Sequence, residues 1–133
     1  MLATSQTVAG WIEYLDGSDY NKALEHLEAS IPKLKNINRI SWLSLAIALK
    51  AATESRIDKS ASGKPIKELE KALSLCRRKG RKNHLVEIYL IKGDFARFAA
   101  DESTAVETYK KGLNVANRYS MIYYKSILNS RLK

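Results

Sequence analysis

Asp19-Tyr20-Asn21-Lys22-Ala23-Leu24-Glu25-His26-Leu27 and Glu102-Ser103-Thr104-Ala105-Val106-Glu107-Thr108-Tyr109 share one outline, and Ile66-Lys67-Glu68-Leu69-Glu70-Lys71-Ala72-Leu73 between them is a weaker relative. A short helical pattern that recurs at about forty residues is the mark of stacked helix pairs. Such units bury their apolar faces on one another, and side-by-side stacking leaves a continuous groove suited to binding. The expected fold is therefore all-α, with about three antiparallel helix pairs and a C-terminal capping helix.

Composition agrees with a folded helical chain. Its 133 residues make one domain, of a size that buries a real core. Hydrophobic residues are 45% and charged residues 28%, and only two prolines and six glycines interrupt long helices. The net charge of +9 suits nucleic acid, anionic lipid or an acidic protein as partner. The basic residues are spread along the whole chain, however, which fits solvated helix faces better than a dedicated patch. Cys76 is the only cysteine, so no intrachain disulfide forms, and its apolar surroundings suggest a buried, inert thiol. No run of eighteen apolar residues and no basic, apolar leader occur, so neither membrane insertion nor secretion is expected and the cytoplasm is the default.

Seven helices follow from apolar periodicity and punctuation. The first, from about Gln6 to Leu15, presents Val8, Trp11, Ile12 and Leu15 on one face, expected to point inward. Ser18 or Asp19 caps the second, which carries Tyr20, Leu24, Leu27 and Ile31 inward and is expected to kink or end early at Pro32. The third, about Asn38 to Ser55, is apolar nearly all round and belongs at the centre. Arg56 to Lys64 reads as a loop and as the most flexible segment. The fourth starts near Pro65, buries Ile66, Leu69, Leu73 and Cys76, and ends at Gly80 with Arg77, Arg78 and Lys79 near its negative dipole end. The fifth (about Asn83–Ala99) and sixth (about Glu102–Asn117) make the clearest pair. A last helix, about Ser120–Leu132, carries Ile122, Tyr123, Ile127 and Leu128 as a cap. The single domain thus divides into pairs at about 6–35, 38–80 and 83–117, with the capping helix at 120–132.

These residues resemble the tetratricopeptide repeat family. The third pair matches well: Tyr89-x-x-Lys92-Gly93-x-x-Ala96, then Ala105-x-x-x-Tyr109 and Gly112. In the first pair Tyr14, Tyr20, Ala23, Leu27 and Ser30 fit, but Trp11 stands where a small residue is expected, which opens the crossing or shifts its register. In the middle pair Trp42-x-x-Leu45-Ala46-x-x-Leu49 reproduces the first-helix pattern, while Pro65 falls on the small position of the second helix. Ala23, Pro65 and Ala105 are 42 and 40 residues apart, against a usual period of about 34. The resemblance is thus to the long-repeat variety found in regulators and signalling ATPases. It implies a right-handed superhelix whose first helices line a concave groove.

On that resemblance Leu43, Ile47, Lys50, Leu90, Asp94 and Arg97 project into the groove, a mixture suited to an extended peptide or an amphipathic helix. Leu90 and Asp94 stand where carboxylate-gripping family members carry lysine and asparagine, so that clamp is missing. Nothing in the chain reads as catalytic, cofactor-binding or metal-binding. His26 and His84 lack ligand spacing, no phosphate loop or nucleophile motif occurs, and the carboxylate pairs lie on lysine-rich helices.

The run Arg77, Arg78, Lys79, Arg81 and Lys82 is the sharpest charge feature and a candidate anion contact, but the run itself has no interleaved aromatic to stack bases. Tyr119, Tyr123 and Tyr124 either dock a further repeat, if the chain is a piece of a larger sensor, or form a homodimer surface. The leading expectation is a non-catalytic protein-interaction module in a regulatory or signalling assembly, with a basic nucleic-acid-associated protein as the alternative.

Overall fold

The computed structural model describes residues 2–59 and 63–133, and among them it is all-α with no strand. The helices are α1 (Ala3–Asp16), α2 (Tyr20–Asn36), α3 (Ile40–Ile57), α4 (Gly63–Lys79), α5 (Lys82–Phe98), α6 (Glu102–Arg118) and α7 (Ile122–Arg131). The stretch expected as the loop is shorter than anticipated, since Arg56 and Ile57 extend α3 and Gly63 and Lys64 belong to α4. Residues 60–62 of that stretch lie outside the described residues.

Three connections repeat one backbone solution. After α2, α5 and α6, a residue in the left-handed region follows the C-cap: Asn38 at φ 55°, Ala100 at φ 61° and Ser120 at φ 54°. In each, the next N–H reaches back to the carbonyl five residues earlier: Arg39 to Leu34 at 3.0 Å, Asp101 to Ala96 at 2.9 Å and Met121 to Ala116 at 2.8 Å. This closing bond satisfies helix carbonyls that would otherwise lack a partner. The same residue that closes one helix stands at the N-cap position of the next. Asp101 takes the Thr104 N–H at 3.1 Å, and Asp19, rather than Ser18, takes that of Lys22 at 3.0 Å.

Small residues set how closely the helices of a pair approach. A Cβ built on Gly93 would stand 2.6 Å from Cδ1 of Tyr109, and one on Gly10 would stand 2.8 Å from Cγ of Leu27. Gly10 therefore holds the close crossing that the sequence pattern assigned to position 11, and Trp11 stands beside it. The physical cause is one extra residue between small and large partners: 17 positions separate Gly10 from Leu27, and 16 separate Gly93 from Tyr109. On the second helices the spacing is constant. Ala23, Leu27 and Ser30 are buried on α2, Pro65, Leu69 and Ala72 on α4, and Ala105, Tyr109 and Gly112 on α6. Pro65 is accommodated because it lies in the first turn of α4, as described from Gly63, where no intrahelical donor is required.

Partners in each pair pack together, and each second helix also packs on the first helix of the next pair. The first helices touch in succession, α1 to α3, α3 to α5 and α5 to α7, whereas α2 and α4, or α4 and α6, make no such contact among the described residues. The odd-numbered row is thus the tighter one, and the stack curves toward it. The core follows this plan. One cluster runs from α1 to α5 around α3, whose Ala46, Ala48, Leu49 and Ala52 are fully covered, and a second joins α5, α6 and α7 around Tyr109 and Leu128.

Local expectations are corrected on four helices. Helix α2 continues past Pro32 to Asn36, because Pro32 is exposed on the solvent side, where the carbonyl it leaves unpaired meets water. The apolar stripe of α1 faces out: Val8 is 42%, Ile12 58% and Leu15 55% exposed, while Ala3, Thr7, Gly10 and Tyr14 are buried. Close approach to α2 through Gly10 turns that stripe away from the stack. On α4 Ile66 is exposed, and on α7 only Leu128 is buried.

Candidate functional site

The concave row builds one mixed cleft. Thr7, Val8 and Trp11 of α1, Trp42 and Leu45 of α3, Asn83, His84 and Glu87 of α5 and Tyr124 of α7 surround a space of about 200 Å³, with Arg81 at its edge. Trp11, Trp42 and Tyr124 are all half-buried, so each offers ring surface to the cleft. The Trp42 ring stands edge-on to His84 with centroids 4.6 Å apart, which holds it in one orientation.

Two titratable groups in this cleft are displaced in opposite directions. Burial, helped by the Arg81 charge, pushes His84 down from 6.5 to about 4, so the ring is neutral near pH 7. Its Nδ1 lies 2.6 Å from Oγ of Ser41, which accepts the Arg81 backbone N–H at 2.8 Å. The Ser41 hydroxyl is thus left to donate into a neutral ring. Burial pushes Glu87 up to about 7, partly offset by the Tyr124 hydroxyl that hydrogen-bonds to it. Tyr124 itself rises to about 12 through burial and the Glu87 charge. Near neutrality this carboxyl is poised between its two states, and an added cation in the cleft favours the ionised one.

The six residues expected in the groove divide. Ile47 and Lys50 lie on the other side of α3, lining a cleft with Ile31 and Lys35 of α2 and Lys64, Glu68 and Lys71 of α4. Leu43 is half-buried against the core. Because α3 is apolar nearly all round, its periodicity could not say which face turns to α5, and Trp42 and Leu45 do so instead of Leu43 and Ile47. Leu90 is buried in the second core cluster.

Asp94 and Arg97 are committed within the chain. Asp94 accepts a hydrogen bond from the Tyr109 hydroxyl and pairs with Arg131, whose Nε lies 3.0 Å from Oδ1. Arg97 forks onto Glu102 at 2.8 and 2.7 Å, donates to the Arg131 carbonyl at 3.0 Å and lies over the Tyr109 ring. These two residues tie α5 to α6 and α7.

The basic run is also divided. Arg77 donates to the Tyr89 hydroxyl at 3.1 and 2.6 Å. Lys82 lies 5.7 Å from the Tyr119 ring centroid. Lys79 and Arg81 turn to a second open cleft of about 320 Å³, shared with Asn38, Arg39, Ile40, Ser41 and Trp42. Cys76 is buried, and burial raises its thiol above the usual range.

Trp11 and Trp42 are the groove residues that sequence reasoning missed. The available signal was that Trp11 is a large aromatic where the repeat pattern expects a small residue, whereas Trp42 falls on a pattern position and gave none. Among the described residues, no helix is long and apolar enough to cross a membrane. No family model, curated protein or solved structure matches this chain.

Proposed function

We propose that the chain is a non-catalytic protein-interaction module of the tetratricopeptide type, acting in the cytoplasm within a regulatory or signalling assembly and gripping a segment of a partner protein along its concave row. The observation that carries this reading is the set of half-buried rings of Trp11, Trp42 and Tyr124 around the Glu87 carboxyl on four successive first helices. Aromatic surface with low conformational freedom is the usual anchor of a binding face, and a single partly desolvated carboxyl supplies orientation. The fitting occupant is an extended peptide or helix that places an apolar side chain against the two tryptophans and a donor or cation at Glu87. The repeated connections and the constant spacing on α2, α4 and α6 support the family assignment.

The test is capture of a partner, reduction of its contact region to a synthetic peptide, and titration of that peptide against variants. Trp11→Ser, at a half-exposed position, weakens binding tenfold or more while the helical spectrum is retained. Lys50→Glu, on the far side of α3, leaves it unchanged. The reverse pattern removes the concave reading.

A further inference from the structure

Basic residues that look scattered in sequence are gathered by the topology at one end of the stack. No Asp or Glu occurs within residues 29–53, 71–86 or 108–133. Each of these stretches contains one of the turns that join successive pairs: α2 to α3, α4 to α5 and α6 to α7. Antiparallel packing brings all three turns to the same end. The Arg81 N–H bond to Ser41 and the placement of Lys82 beside Tyr119 tie neighbouring turns together there. The opposite end carries Asp16, Asp19, Asp58, Asp101 and Glu102 among its cations. The +9 charge is therefore polarised along the molecule.

At the centre of the basic end is the open cleft formed by Asn38, Arg39, Ser41, Trp42, Lys79 and Arg81. Arg39, Lys79 and Arg81 are exposed, and among the described residues none of them pairs with a carboxylate. Trp42 forms one wall, half-buried and held edge-on by His84. The 77–82 run lacks an aromatic of its own; the tertiary structure supplies one from α3. Three free cations around a fixed indole answer to a ligand that carries both phosphate charge and a flat ring.

We infer that this end of the molecule binds single-stranded nucleic acid, with a base stacked on Trp42 and backbone phosphates held by Arg39, Lys79 and Arg81. The cations alone would suit any polyanion, and the indole selects among them. An acidic peptide has no need of a stacking wall, and a duplex keeps its bases from one. Base–aromatic stacking and a basic track are together the ordinary means of gripping a single strand without sequence preference. Asn38, at the same cleft, has the amide groups to contact a base edge. This site shares Trp42 and Arg81 with the edge of the concave cleft, but its other cations, Arg39 and Lys79, lie outside that cleft, and neither reading depends on the other.

The test is anisotropy of a labelled single-stranded oligonucleotide on the order of 15 nucleotides long, titrated between about 50 and about 200 mM salt. Binding is expected, with affinity falling linearly in log–log form. Arg39→Glu and Lys79→Glu each lower the magnitude of the slope by about 0.7, the value for one lost phosphate contact on a single strand. Trp42→Ala weakens binding about tenfold, and Trp42→Phe restores most of it. Trp42→Phe also keeps a ring against His84 in case the alanine variant does not fold. Lys50→Glu, the same charge change on the other side of α3, leaves affinity unchanged. No binding at low salt overturns the inference. So does equal affinity for a duplex of the same length, or binding indifferent to Arg39, Lys79 and Trp42. Retention of a phosphopeptide or of phosphatidylserine vesicles without the oligonucleotide assigns the cleft to another anion and overturns it as well.

Discussion

Oγ of Ser41 lies 2.6 Å from Nδ1 of His84 while it accepts the Arg81 backbone N–H at 2.8 Å, so one hydroxyl at the start of α3 fixes both a ring of the concave cleft and the turn into α5. Replacing it with alanine leaves a buried ring nitrogen and a backbone donor without their partner. Ser41→Ala is expected to cost about 1–3 kcal/mol in urea unfolding. It also loosens Trp42, visible as a change in tryptophan emission before the unfolding transition. A variant as stable as the parent, with unchanged emission, would remove Ser41 from this role.

His84 and Glu87 make opposing contributions to stability against pH. The lowered His84 means that the unfolded chain binds the proton more readily. Its stabilisation is complete above about 6.5 and is lost as pH falls toward 4. At most about 3 kcal/mol is involved. The raised Glu87 acts the other way, with stabilisation complete below 4.5 and lost as pH rises through 7. In the window from 7 to 4.5 the two partly cancel. Glu87→Gln should make stability fall more steeply as pH drops through that window, and His84→Gln should make it rise. Chemical denaturation at several pH values checks both, and profiles parallel to the parent's refute the assignment.

Gly93 has no room for a methyl group, because Tyr109 is fully buried and its hydroxyl is tied to Asp94. Gly93→Ala is expected to lose about 1–3 kcal/mol through overpacking, despite the better helix propensity of alanine. Gly63→Ala is the matched control: nothing lies within 4 Å of its added carbon, and the change should be neutral or stabilising. Thermal melts of the two variants should diverge in sign.

Backbone strain is held at Ala100, an alanine in the left-handed region at φ 61°. Ala100→Gly relieves a cost of about 1 kcal/mol and should raise the melting temperature. Asn38, in the same conformation, is a residue that tolerates it, so Asn38→Gly should do little. Equal gains from both would show that the turn geometry is not what limits stability.

Both ends of the stack expose apolar faces: Val8, Ile12 and Leu15 on α1, and Ile122 at 78% and Tyr123 at 71% exposure on α7. Uncovered surface of this kind favours association. Sedimentation at increasing concentration should show reversible self-association, reduced by Ile122→Ser with Tyr123→Ser and without loss of helix content. A monomer at every concentration tested would exclude a homodimer through α7.

The helices, their pairing and the small residues at Ala23, Ala105 and Gly93 were legible in the sequence, because apolar periodicity, capping and a repeated spacing are local properties of the chain. The rotation of each helix about its own axis was not. The glycine at position 10, one residue before the expected site, turned the apolar stripe of α1 outward. A helix buried almost all round gave no preferred face, so which of Trp42 or Ile47 met the concave row depended on packing against α2, α4 and α5. Charge shows the same division. The stretches without Asp or Glu are written in the sequence, but only antiparallel stacking sets their three turns side by side and brings Trp42 to Arg39, Lys79 and Arg81.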